Sequence, residues 1–252
     1  ARCSLGKESD YYNEDLLRRM FGKNTELLID HAWGYEPVTI SDIKAYKPES
    51  NSIGSGQVLH CGTDFDKTKI IVREMTEMLV LDLVSKNLVT DQIVLTIVYD
   101  RENLLDSSRM SKYKGEFSFD QYGRKIPKHA HGTVNLDSYT SSTSVIVRAV
   151  LDLFSRIVDE NLLVRRINMS ANHVISEKEA KQDRYEQLNL FDMISEKEDA
   201  VDQEQLKKEK DIQKAILDIK KKFGKNAILK GMSLQEGATA IDRNNQIGGH
   251  KA

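Results

Sequence analysis

With 252 residues, 30% of them charged, and a mean hydropathy of −0.50, the chain suits one or two compact domains plus connecting segments. No apolar run approaches the ~20 residues of a membrane span, so no membrane partner is expected. No signal peptide is visible, and the expected location is cytoplasmic. Cys3 and Cys61 are too few for a disulfide framework or a zinc ribbon. The net charge of −2 hides its distribution. Acids crowd the stretch Glu177 to Glu209, whereas Arg148, Arg156, Arg165 and Arg166 fall where a folded core is expected. A nucleic-acid face needs local positive potential, so the average is neutral evidence. The chain opens on Ala1 and reads from there as the middle of a larger protein, so a fragment is expected.

Residues 1–36 predict two short helices. Asn13 precedes the first, which runs through Leu16, Leu17, Met20 and Phe21 and stops at Gly22. The second spans about Thr25 to Trp33, with Leu27, Leu28 and His31 near one face and Gly34 as its stop. Two such helices cannot bury a core alone, and partners upstream of Ala1 are expected. Residues 37–56 hold Pro37, Pro48, Gly54, Gly56 and several serines with little periodicity, the composition of a linker.

Residues 57–176 alternate strand and helix signals. Val58 to Cys61 is a short strand; Asp64 or Asp66 then caps a long helix with Val72, Met75, Leu79 and Leu83 on one face. Ile93 to Tyr99 is a β-branched strand, and residues 100–128 are a polar excursion with a hairpin around Tyr122-Gly123. Strand alternation returns with Ala130, Gly132, Val134 and Leu136 set against His131, Thr133 and Asn135. A second helix opens at Thr140–Ser144 with the stripe Ile146, Val150, Leu153 and Ile157, and a last strand runs from Leu163 to about Ala171. The order β-α-β-β-α-β predicts an α+β, ferredoxin-like domain with both helices on one sheet face. The other face is then free. By the period of two it carries His131, Thr133 and Asn135 on one strand and Arg166, Asn168 and Ser170 on another. A polar, partly cationic face of this kind suits a phosphate backbone. Residues 177–252 turn to Glu, Lys, Gln and Asp and predict a largely flexible tail. Within it, Ile212, Ile216, Ile219 and Phe223 mark one amphipathic helix ended by Gly224.

The sharpest short signal is Gln187-Leu188-Asn189-Leu190-Phe191, set in charged chain. Apolar anchors that enter a preformed pocket, with an amide fixing register, are how a short linear motif docks. The pentapeptide resembles the motif by which bacterial proteins bind the β sliding clamp. Phe21-Gly22, the helix ending Ala32-Trp33-Gly34, and Pro37-Val38 resemble the end of the thumb of Y-family DNA polymerases. Ser52-Ile53-Gly54 resembles the signature where the linker enters that family's little-finger domain, and Val164-Arg165-Arg166-Ile167 resembles its last strand. Arg243-Asn244 and Ile247-Gly248-Gly249-His250 look like the tail of UmuC-like proteins of Gram-positive bacteria.

The resemblance implies a partial thumb at 1–36, a linker at 37–56, a little finger at 57–176 and a clamp-binding tail at 177–252. It also implies primer–template DNA and the β clamp as partners, with palm and fingers domains supplied by the same polypeptide. The DNA contacts it implies are Lys47, Ser52, Ile53, Gly54 and Ser55 at the entry and Arg165 and Arg166 on the last strand, to which the alternation on the open face adds His131, Thr133, Asn168 and Ser170. The basic residue expected before Ser52 is absent: Asn51 stands there, so the entry grip rests on backbone amides and Lys47.

The intact polymerase would use Mg²⁺ held by palm carboxylates. Those motifs are not in this chain, so no catalytic residue, metal ligand or cofactor is assigned to it. Asp64 and Asp66 are read as helix caps, and His129 and His131 lack a third ligand nearby. The function implied is the DNA-holding, clamp-recruiting part of an error-prone translesion polymerase of the SOS response. Two other readings remain open: a non-enzymatic adaptor between clamp and DNA, and a ferredoxin-like RNA-binding module. The second normally shows paired aromatics on its central strands, where His, Thr, Asn and Arg stand here.

Overall fold

A computed structural model describes residues 14–46, 51–120, 122–180, 196–247 and 250–251. The chain divides into two units, residues 1–49 and 50–252. In the first, α1 (Glu14–Phe21) and α2 (Asn24–Ala32) are the expected helices. Each is followed by a glycine in the left-handed region, Gly22 at φ +56° and Gly34 at φ +77°. The buried Thr25 hydroxyl donates to Leu17 O at 3.0 Å and ties the two helices together. Their large apolar side chains, Met20, Leu27 and Leu28 among them, stay exposed. The cap assigned to Asn13 lies outside the described residues.

The stretch read as linker is not featureless. Residues Ile40–Ala45 form α3, opened by a reciprocal cap. Thr39 Oγ1 accepts from Asp42 N, and the Asp42 carboxylate accepts from Thr39 N at 2.9 Å. Hydrogen bonds from the Thr39 hydroxyl and then its amide hold the Asp42 carboxyl below its usual range. At the far end of the stretch, β1 (Ile53–Thr63) has already begun.

The second unit is a sheet with helices on one side. After β1 come α4 (Phe65–Ser85) and β2 (Leu88–Tyr99). A 3₁₀ turn (Arg101–Leu105), α5 (Ser107–Lys112) and the hairpin β3 (Phe117–Phe119) and β4 (Lys125–Pro127) follow. The core resumes with β5 (Ala130–Thr140), α6 (Thr143–Ile157), β6 (Val164–Asn172) and the short β7 (Ile175–Ser176). Asp64 caps α4, its carboxylate accepting from Lys67 N at 2.9 Å, and Ser142 caps α6.

The strand order is β1-β6-β2-β5, every neighbour antiparallel, with β7 paired to the start of β2. The element order is therefore the expected one, but the strand order departs from the ferredoxin-like pattern. In a ferredoxin-like sheet the first strand is central and the last lies at an edge. Here the two are exchanged, and so are the second and third core strands, with β2 central and β5 at the other edge. Helices α4 and α6 cover one face. Val72, Met75, Leu79 and Leu83 of α4 and Ile146, Val150 and Leu153 of α6 are buried against Ile93, Leu95 and Ile97 of β2 and Ile167, Met169 and Ala171 of β6. Each such side chain contributes about 1.5–3 kcal/mol on full burial. Gly132 lets α6 approach β5, since a Cβ there would stand 2.9 Å from Leu153 Cδ1.

Part of the stretch expected to be a largely flexible tail is helical. Residues Glu196–Phe223 form α7, and Ala240–Asn244 form α8, and both belong to the second unit. The face of α7 that docks is not the isoleucine stripe: Ile212 is 60% exposed and Phe223 67% exposed, whereas Gln213 is 4% exposed. Gln213 donates to Ser141 O at 3.0 Å and Thr143 Oγ1 at 2.8 Å. One turn earlier the Glu209 carboxylate accepts from Ser144 N at 2.9 Å and the Ser142 hydroxyl at 2.7 Å. An acid at the first turn of α6 meets the positive end of that helix, and this polar fit fixes the rotation of α7.

Further on, Glu74 of α4, 3% exposed, accepts from Thr239 N at 2.9 Å and Ala240 N at 3.0 Å. Arg243 donates to Ser55 Oγ at 2.6 Å, and Gln57 donates to Thr239 Oγ1 at 2.9 Å. Burial and, against it, the nearby Glu74 act on Arg243, with burial prevailing to lower its pKa. Glu74→Ala leaves two amides without their acceptor and is expected to cost about 1–3 kcal/mol in urea unfolding, with Glu74→Gln retaining most of it. Equal stability of Glu74→Ala and wild type would show that residues 239–243 do not stabilise the domain.

Candidate nucleic-acid interface

The face left open by α4 and α6 is built row by row. Strand β6 lies between β1 and β2, and its outward residues each have neighbours on both sides. Arg166 stands between Val58 and Val98; Asn168 between Gly56 and Thr96, with His131 beyond; Ser170 between Gly54 and Val94, with Thr133 beyond. Asn172, Gln92 and Asn135 make the next row. His131, Thr133, Arg166, Asn168 and Ser170 are thus brought together as the alternation requires, and Gly54 joins them from the edge.

Much of the face is tied to itself. Ser170 Oγ donates to Asn172 Oδ1 at 3.1 Å, Asn172 Nδ2 to Gln92 Oε1 at 3.1 Å, and Gln92 Nε2 to Asn135 Oδ1 at 2.9 Å. Thr96 Oγ1 and His131 Nδ1 lie 2.9 Å apart. Such a chain fixes which way each amide points. Arg166 is exposed and makes no ion pair among the described residues. It is the permanent cation of these rows and is free to meet an anion.

Other candidates lie elsewhere. Ile53 packs against the core, and Ser55 accepts from Arg243, so both point to the helix side of β1 and are not part of the open face. The alternation along β1 assigns them there: Ile53, Ser55, Gln57 and Leu59 are the more covered positions, Gly54, Gly56 and Val58 the exposed ones. Ser52 is exposed just before β1. Lys47 and the Gln187–Phe191 pentapeptide lie outside the described residues.

Arg165 sits in a bulge. Val98 pairs with Arg166 but Tyr99 pairs with Val164, so Arg165 is an extra residue that faces neither row. It donates to His60 O at 2.7 Å and lies 3.7 Å from the Asp100 carboxylate, whose side chain is 6% exposed. The bulge also explains why Val164 and Ile167, three apart, are both buried. The residues that strand reading overlooked on this face are Gln92, Thr96 and Asn172. Their signal was the outward half of β2's alternation, masked by a run of β-branched residues. Among the described residues no group of three His, Cys, Asp or Glu is placed to hold a metal ion, and the Asp64 carboxylate is engaged as a cap. No described helix is long and apolar enough to cross a membrane.

The fold defines an α+β domain of two layers with one sheet face left uncovered by the described residues. Residues 50–190, more than half of the chain, match the model of the impB/mucB/samB family C-terminal domain, and the chain belongs to that family. This agrees with the Y-family resemblance of its motifs. No curated protein matches the chain. Among solved structures it is similar to the "Insertion ternary complex of Dbh DNA polymerase", at 14% identity and a TM-score of 0.33, over 69% of this chain and 41% of that one. It is also similar to the "Y-family DNA polymerase chimera Dbh-Dpo4(243-245)-Dbh", at 15% identity and a TM-score of 0.38, over 66% and 40%. The chain therefore spans about two fifths of each of these proteins.

The two adjacent arginines differ in what they do for the fold. Arg165→Ala removes the hydrogen bond to His60 O and leaves the buried Asp100 carboxylate with the Glu102 amide but no cation beside it; after allowance for solvent, a loss of about 1 kcal/mol is expected. Arg166→Ala should change stability by less than about 0.5 kcal/mol. Urea unfolding of both variants checks this, and equal losses would show that the bulge does not separate their roles.

Proposed function

We propose that this chain is the DNA-holding and clamp-recruiting portion of a UmuC-like, Y-family translesion DNA polymerase of the Gram-positive type. In the intact protein, palm and fingers domains on the same polypeptide carry nucleotide transfer with Mg²⁺, and the protein works in the cytoplasm in the SOS response to DNA damage. The observation that carries the DNA part is the uncovered face on which Arg166, Asn168, Ser170, Thr133 and His131 stand in register. A sheet face of short polar side chains offers hydrogen bonds at a regular spacing and no deep base-reading groups. It suits a duplex held by its phosphates, independently of sequence. Arg166 supplies the charge, and the amide and hydroxyl groups supply neutral contacts beside it.

Loss of one phosphate contact weakens binding to every sequence alike and lowers the slope of log K against log salt by about 1. Arg166→Ala is expected to do both in anisotropy titrations on primer–template duplexes at several salt concentrations. A variant that keeps both affinity and slope would place the DNA face elsewhere.

Clamp recruitment is carried by Gln187, Leu188, Asn189, Leu190 and Phe191, whose two leucines and phenylalanine fit a preformed apolar pocket while the glutamine sets register. Hot-spot anchors in such motifs are each worth about 2 kcal/mol or more. The triple variant Gln187→Ala, Leu190→Ala, Phe191→Ala should therefore lose affinity for purified β clamp and keep its affinity for DNA. Titration of the chain against labelled clamp measures the first, and unchanged clamp affinity would remove the motif from the proposal.

A further inference from the structure

The hairpin β3–β4 stands beside the open face, at the end where Arg166 lies. Between them is a cleft of about 680 Å³ whose walls include Phe119, Tyr122 and Arg124 from the hairpin and Arg101 and Arg166 from the domain. Phe119 is 73% and Tyr122 71% exposed, so both rings are open to a ligand. They make no hydrophobic cluster with the core, so packing does not account for them.

Cations are set against the rings. The Arg124 guanidinium lies 4.8 Å from the Tyr122 ring centre, and Lys125 Nζ lies 4.1 Å from that of Phe117. Four arginines line the cleft (Arg101, Arg124, Arg165 and Arg166) against Asp100, Glu102 and Asp120. Two of those acids are engaged within the fold: Asp100 with Arg165 and the Glu102 amide, Asp120 with Arg124 and the Tyr122 and Arg124 amides. Arg101 and Arg166 make no ion pair among the described residues.

The hairpin is held in shape. Lys128 and Glu116 close its base at 2.6 Å, the Tyr113 hydroxyl donates to Glu116 O at 2.6 Å, and Tyr113 packs edge-on against Phe117. Rigid, exposed aromatic rings interleaved with guanidinium groups are what an unpaired nucleotide binds, the base on the ring and the phosphate on the cation. A duplex keeps its bases stacked and hidden, and a phosphate alone needs no ring. We propose that this cleft takes single-stranded DNA, one or two unpaired nucleotides lying across Phe119 and Tyr122 with their phosphates towards Arg101 and Arg166. The proposal rests on the DNA-holding reading of the open face and extends it from duplex to the adjoining unpaired strand.

The test compares wild type with the double variant Phe119→Ala, Tyr122→Ala on three labelled ligands: oligo-dT, a duplex with an overhang, and a blunt duplex. Neither ring is in the core, so unchanged thermal unfolding is expected. The variant should bind oligo-dT about tenfold or more weakly, lose the preference for the overhang, and keep its affinity for blunt duplex. Phe119→Tyr with Tyr122→Phe, which keeps both rings, should behave as wild type. Wild type that does not bind oligo-dT, or a variant that binds it unchanged, overturns the inference while blunt-duplex binding leaves the open-face reading standing. Equal losses on all three ligands likewise overturn it, since the rings would then support the face as a whole. Ring-dependent binding of oligo-dT without blunt-duplex binding supports the cleft and removes the duplex reading.

Discussion

Strand β6 has neighbours on both sides, and the side that meets α4 and α6 must be apolar. Ile167, Met169 and Ala171 satisfy that demand, each within 2% of full burial. Because successive side chains point to opposite faces, the same constraint sends Arg166, Asn168 and Ser170 outward with no freedom to choose. A slip of one residue would bury an arginine and expose three apolar groups, so the register is strongly specified. The candidate site is therefore a by-product of core packing at a central strand. Its outward residues inherit the rigidity of the best-packed part of the domain. The bulge at Arg165 marks where that rule is interrupted, and there the side chain binds His60 O and Asp100 in place of solvent.

The helix side carries a second layer of constraints, and these are polar. Glu209 and Gln213 of α7 meet the opening turn of α6, and Glu74 of α4 meets the opening turn of α8. Each case pairs a carboxylate or amide with backbone groups that a helix terminus leaves unsatisfied. Arg243 then reaches β1 at Ser55, so the edge strand is tied on the side away from the open face. The segment beyond residue 190, outside the family match, in this way takes part in holding the strand that begins the family domain.

The alternation of β5 and β6, the apolar stripes of α4 and α6, and the hairpin turn at Tyr122-Gly123 could all be read from residue order, because burial imposes a period that sequence displays. The rotation of α7 could not. Its isoleucines form the more visible stripe, yet the docked face centres on Gln213, whose value lies in two hydrogen bonds that exist only once α6 is in place. The strand order was hidden for a related reason: β1 and β6 exchange edge and centre without altering the pattern of either strand. Ser55 lies on the helix side, as the alternation with Ile53 and Leu59 assigns, although the Ser52-Ile53-Gly54 resemblance groups it with the expected DNA contacts. The reciprocal cap Thr39–Asp42 was present in the residue order and was obscured by the surrounding serines and prolines.

Charge completes the picture of the open face. Its middle rows are neutral amides and hydroxyls that satisfy one another, and a network of that kind resists being pulled towards a ligand. Positive charge without an ion-pair partner among the described residues lies at one end, with Arg166 on the sheet and Arg101 in the adjoining cleft, where Arg124 is paired with Asp120. The other end carries Asp137 on β5 and the Asp91–His173 pair, at 2.9 Å. A polyanion lying on this face therefore meets a gradient and not a uniform field. It is drawn to the Arg166 end first, and the neutral rows then align it without holding it tightly.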